Sequence, residues 1–331
     1  MKTKKFIALI LVLIIIIVTI FLYLFLTRNP LLWDLPIFPK SQTAPIFLYS
    51  FGDKSGPGEL SQPMAAVSDG IGNVHVSDFE RGEVIVFSRE GAYMFAYGNN
   101  NVAEDLKLKS PYGLAEYNSR IYVADTASRR ILIFNSRGDF QDVLLASSED
   151  AAHGIFIPTA LTANPQNGNI YIADVFQHRI LAVDQEGNYL FELPGSVSGV
   201  NLSYPNGVAL DSKGNIYVAD SNNARIVVFS SEGDRVLWKT EGDQNGETRL
   251  SVPRGLALDT RDNLWLADVL THQVSMFNGT NFGLQFGGMG LQEGELYFPN
   301  DVVIHQNGNF YVLESGQGRV SVFGSKASIV K

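Results

Sequence analysis

A short apolar run ending in an acid recurs six times along this 331-residue chain: Val74–Asp78, Ile121–Asp125, Ile170–Asp174, Ile216–Asp220, Leu264–Asp268 and Phe310–Glu314. The acids are separated by 47, 49, 46, 48 and 46 residues, so one supersecondary unit is repeated and each copy buries its faces against its neighbours. Five residues before the acid stands Asn73, Asn169, Asn215, Asn263 or Asn309, with Arg120 in the second unit. Asn, usually after Gly, tolerates positive φ and marks a tight hairpin turn. Six residues after the acid a β-branched residue opens a further run: Val84, Ile131, Ile180, Ile226, Val274 and Val320. About fifteen residues before it stand Pro63, Pro111, Pro158, Pro205, Pro253 and Pro299, each opening another strand. Each unit therefore reads as strands A, B and C, shown best by Pro205–Asp211, Asn215–Asp220 and Ile226–Phe229, followed by a fourth run such as Tyr189–Leu193 or Val236–Lys239. No apolar period of 3.6 residues appears after residue 28, so the array is all-β and a helical solenoid is excluded. Four short antiparallel strands per repeat make a propeller blade.

Counting fourth strands predicts how the ring closes. Tyr93–Tyr97, Val143–Leu145 and Phe282–Phe286 serve earlier blades, but only eight residues follow Phe323, too few for a turn and an outer strand. An unassigned strand, Ile46–Gly52, stands at the other end. Its continuation Phe51-Gly52, Gly58-Glu59-Leu60, Pro63 parallels Phe286-Gly287, Gly294-Glu295-Leu296, Pro299. The N-terminal strand is thus expected to complete blade six, leaving no open sheet edge at either end of the array.

The runs Pro205–Asp211, Gly214–Ser221 and Arg225–Phe229 resemble an NHL repeat, and six such units cover about residues 45–325. The resemblance implies a six-bladed NHL-type β-propeller. It also implies either a binding module, as in sensor ectodomains tethered to bacterial membranes and in RNA- or protein-binding domains, or an enzyme like the peptidyl-hydroxyglycine amidating lyases.

From Phe6 to Leu26 the chain is free of charge, Pro and Gly, long enough as a helix to cross about 30 Å of hydrocarbon. Its length and the lack of a small-x-small site after it favour an uncleaved signal anchor over a cleavable signal peptide. Lys2, Lys4 and Lys5 precede the span and only Arg28 follows closely, so the N-terminus is expected in the cytoplasm and the propeller outside, in a single-pass cell-membrane protein. The expected organisation is a tail and transmembrane anchor (1–28), a Pro-containing tether (29–44), the propeller (45–325) and a C-terminal tail (326–331). Cysteine is absent, which removes disulfides and thiolate metal sites. Residues 29–331 carry 21 basic against 34 acidic residues, a balance that argues against nucleic acid as a partner.

Function is expected at the axial mouth, where strand A begins and strands B and C join. The residues after the six prolines are Met64, Tyr112, Thr159, Asn206, Arg254 and Asn300. The amidating lyases hold zinc with channel histidines, and no His stands in this set. His178 and His272 share a B–C position on non-adjacent blades, and a zinc site wants three convergent ligands. Calcium-dependent lactonases of six blades are the other enzymatic alternative, with Asn206, Asn300 and Asp301 as candidate Ca²⁺ ligands, although the remaining mouth residues supply too few oxygens. The acid ending strand B is expected to accept backbone N–H groups of the turn that follows, with Arg130, Arg179, Arg225 and Arg319 pairing with acids or carbonyls nearby. The B–C turns carry Phe79, Val175, Phe176, Val269 and Leu270 where polar residues are usual. Together with Tyr112, Asn206, Arg254 and Asn300, the side chains of Phe79, Phe176 and Leu270 compose a candidate surface for a protein or peptide partner, or a small molecule. No cofactor is required by this reading, and a closed ring has no structural need of a second copy.

Overall fold

The computed structural model describes residues 44–325, except 54, 101, 147–153, 196–198 and 241–249. The predicted membrane span, residues 29–43 of the tether and the tail 326–331 lie outside the described residues. Among those that are described, no helix is long and apolar enough to cross a membrane.

Six four-stranded antiparallel sheets are present, one per repeat. Blade four shows the plan: A (Pro205–Leu210), B (Ile216–Asp220), C (Arg225–Phe229) and D (Val236–Lys239). Strand A of each blade lies against strand A of the next, and the sixth returns to the first, so the ring is closed. Closure follows the expected route. Ile46–Phe51 pairs antiparallel with Arg319–Gly324, the third strand of blade six, with Phe51 opposite Val320 and Ile46 opposite Gly324. The outer strands of blades two and five are longer than the sequence suggests, Phe140–Ala146 and Asn281–Gly287.

The core consists of six wedges, each between adjacent blades, rather than one centre. The wedge between blades three and four, for instance, joins Tyr171, Ile180 and Leu193 to Val208, Val218 and Phe229. Every strand B is buried on both faces, which is why it reads as an almost continuous apolar run. At the far end of strand A, Asp69, Asp211 and Asp259 each accept the N–H of the Asn four residues on, and that Asn's amide donates back to the same carboxylate. These Asx turns account for the Gly-Asn signal. Blade two departs from it because Tyr117 pairs directly with Arg120 across a two-residue turn, with Asn118 and Ser119 at φ 51° and 62°.

The acid ending strand B works differently from the expectation. Its main partners lie upstream, in the loop entering strand A of the same blade. Asp78 accepts the N–H groups of Ser61 and Gln62, Asp125 those of Lys109 and Ser110, and Asp268 those of Ser251 and Val252. The following turn adds backbone N–H groups in blades one and five, from Arg81, Leu270 and Thr271, and side-chain amides in blades four and six, from Asn223 and Gln317. The reason is register: each of these acids sits opposite the Pro that opens strand A, so the entering loop crosses its carboxylate. The four arginines then pair with this acid at 2.7–3.4 Å. They also donate to loop carbonyls, as Arg130 does to Asp105 and Lys107 and Arg225 to Asn201. One buried ion pair in each of these blades thus fixes the approach to the mouth.

Candidate functional site at the axial mouth

In every blade the A–B ladder slips just after the proline. This places a β-bulge at Met64, Tyr112, Thr159, Asn206, Arg254 and Asn300, and a bulge re-aims the residue it contains. In blades two, four and five, where glycine follows the bulge, strand A packs too closely on the next blade for any side chain there. A Cβ on Gly207 would strike the Arg254 carbonyl, and one on Gly255 the Asp301 backbone.

The six bulged residues line one end of an axial cavity of about 400 Å³ that runs down the strand-A walls to Ile304 and Gln306. Arg254 on blade five reaches across the axis to blade two. Its Nη1 donates to the Tyr112 hydroxyl at 3.2 Å and to Asn300 Oδ1 at 2.7 Å, while Asn300 Nδ2 approaches Met64 Sδ at 3.8 Å. Phe79 packs edge-on against Tyr112, with centroids 6.2 Å apart. Of the sequence-predicted residues, Tyr112, Arg254, Asn300 and Phe79 are therefore assembled into one strut across the mouth. Asn206 stands apart, donating to the Tyr204 carbonyl at 3.0 Å.

The candidate cation ligands do not form an oxygen cage. Asn300 is held by Arg254, and Asp301 accepts the N–H groups of Ala66 at 3.2 Å and Val302 at 2.9 Å. Among the described residues no three His, Asp or Glu side chains converge. Asp301 replaces the Gly or Ala of the other blades and seals blade six to blade one. Burial pushes its carboxyl up to about 7, against smaller lowering by the two N–H groups. The folded ring thus prefers the protonated acid, and stability is lost as pH rises from about 4 to 7. In urea titrations Asp301→Asn should match the parent at pH 4 and exceed it by about 2–3 kcal/mol at pH 7.5, the cavity's water lessening the full effect. Equal stability at both pH values would refute this.

His178 and His272 are structural. Both lie in left-handed backbone at the B–C turn, and each Nδ1 accepts the N–H of the residue preceding the next blade's proline, Tyr204 at 3.1 Å and Phe298 at 3.0 Å. Those two donors also have positive φ, a conformation unfavourable for bulky residues that the imidazoles help to hold. His75 is fully buried between Tyr97 and Asp69. Although burial opposes ionisation of Asp69, hydrogen bonds from His75, Asn73 and Ile71 bring its carboxyl down to about 2.

The B–C turns divide. Val175 and Val269 are buried and plug the blades, whereas Phe176 and Leu270 are 55% and 54% exposed. Further apolar side chains stand exposed on the loops entering strand A: Phe156, Tyr204, Met289 and Leu291. Phe156 stacks on Phe176 at 6.4 Å and lies under the Arg129 guanidinium at 5.5 Å. This second set is absent from the sequence expectation, which covers the B–C turns and the residues after each proline but not those before it. The signal was present as an aromatic one or two residues before Pro158 and Pro205.

Residues 202–229 match the NHL repeat family, which covers one blade from strand A to strand C. No curated protein matches the chain. Among solved structures, a streptogramin B lyase aligns with a TM-score of 0.57 at 12% identity, over 81% of this chain and 80% of that one. Virginiamycin B lyase from Staphylococcus aureus aligns with a TM-score of 0.54 at 16% identity, over 77% and 78%. A structure of a nidogen/laminin complex aligns with a TM-score of 0.57 at 20% identity, over 68% and 80%. At these identities the likeness is one of fold. The chain carries an NHL repeat within a six-bladed β-propeller.

Proposed function

We propose that this propeller is an extracytoplasmic binding platform, anchored in the cell membrane by residues 6–26, that engages a protein or peptide through its mouth face. The observation that carries the reading is the set of apolar and aromatic side chains left exposed at that end, Phe156, Phe176, Tyr204, Leu270, Met289 and Leu291. They stand on loops clamped by buried ion pairs and histidine hydrogen bonds. Exposed anchors on a rigid frame bind without a large ordering penalty. The same fold serves in a complex of nidogen with laminin, which agrees with a binding role. The membrane assignment rests on the uncharged run and the lysines before it.

A photo-crosslinking residue placed at Phe176 or Leu270 of the full chain in its native envelope should yield discrete adducts. The same probe at Ile71, 80% exposed on the opposite end, should yield none. Equal labelling from all three positions, or none from any, would remove the platform reading.

A further inference from the structure

Arg254 is the only charged side chain among the six bulged residues. It also differs from the clamp arginines: Arg130, Arg179, Arg225 and Arg319 each pair with a buried acid, whereas among the described residues no acid pairs with Arg254. Its two hydrogen bonds leave from a single nitrogen, Nη1. Nε is buried without an acceptor. The acids in the same cavity wall are Asp301 and Glu116. Asp301 is bound to Ala66 and Val302, and Glu116 accepts the Ser119 N–H. A guanidinium held in place, part-buried in the cavity wall and without a paired acid among the described residues carries an unmet demand for an anion.

We infer that Arg254 receives a carboxylate carried by the mouth's ligand. This rests on the reading of the mouth as a binding site and names the chemistry it selects. A planar carboxylate matches the guanidinium fork. Phosphate clusters and polyanions are disfavoured, because Arg254 has no second cation in the ring and the chain carries a net charge of −9, which repels them at a distance. The surroundings fix the rest of the group. Met64 and the Phe79–Tyr112 pair border the strut, so the carboxylate arrives on an apolar stem. A cavity of about 400 Å³ is sized for one side chain, a chain terminus or a small organic acid.

The test titrates the full chain in detergent micelles with glutarate, and with one random peptide library prepared either with free C-terminal carboxylates or as amides. Binding of glutarate identifies a small acid as sufficient, and selection of free-acid peptides over amides identifies a terminus; either result supports the proposal. In both cases Arg254→Gln should weaken binding about tenfold or more, with Arg254→Lys intermediate. Melting curves of the unliganded variants show whether each remains folded. Loss of fold in Arg254→Gln shifts the decision to Arg254→Lys, whose affinity must then fall while its melting curve stays that of the parent. Equal affinity for acids and amides, or no binding of either probe, would overturn the proposal. Adducts from Phe176 that persist with such a result leave the platform reading standing; their absence removes both.

Discussion

Replacing Phe51 by Ala should lower the unfolding free energy by about 3–5 kcal/mol, the range for removing a large aromatic from a packed site. Phe51 ends the strand that closes the ring and is buried, with its centroid 4.8 Å from Phe87 of blade one and 6.1 Å from Tyr311 of blade six. Its backbone pairs with Val320, and its ring fills the space that a side chain at Gly91 would need. One residue therefore joins the last blade to the first, and no neighbour can move in to fill the void without opening the seam. Urea unfolding followed by tryptophan fluorescence reads the loss. Deleting Ile46–Phe51 should be worse, since it also strips the hydrogen-bonding partners from Arg319–Gly324 and creates the open edge that propellers avoid. A change below about 1 kcal/mol in Phe51→Ala, small for any core truncation, would show that the seam contributes little.

Glu314→Ala is expected to be comparably severe, at about 3–5 kcal/mol, the usual consequence of removing one partner of a buried ion pair. Fully buried Glu314 takes hydrogen bonds from the Tyr297 N–H, Gln317 Nε2, Arg319 Nε at 2.8 Å and the Ser321 hydroxyl. Truncation leaves the Arg319 guanidinium in the protein interior with only the Glu295 carbonyl as acceptor, and frees the loop that enters strand A of blade six. Adding Arg319→Met should restore more than half of the loss, because most of it comes from the stranded charge rather than from attraction within the pair. A double variant no more stable than Glu314→Ala would contradict that account.

The period of the array, the strand order within a blade and the closing strand were legible because each rests on local chemistry: Pro where strand A starts, Gly-Asn where φ turns positive, and an acid at a fixed register. What Asp125 or Asp268 bonds to was not legible. That depends on which loop passes over the carboxylate, a matter of pairing Pro111 with Asp125 or Pro253 with Asp268 rather than of adjacency along the chain. The mouth was legible as a set of positions, since all six follow a proline. Its geometry was not, because the contact of Arg254 with Tyr112 spans 142 residues and requires knowing that blades two and five face each other across the axis. Phe176 and Val175 illustrate the same limit at shorter range. Adjacent in sequence and both apolar, they differ in burial because the single helical turn at 175–177 points one inward and the other out.

Because Ile46 lies opposite Gly324, the described chain enters and leaves the disc side by side, beneath the surface opposite the Arg254 strut. A short linker joining residues 46 and 324 would therefore span that face alone and leave the aromatic crown unobstructed.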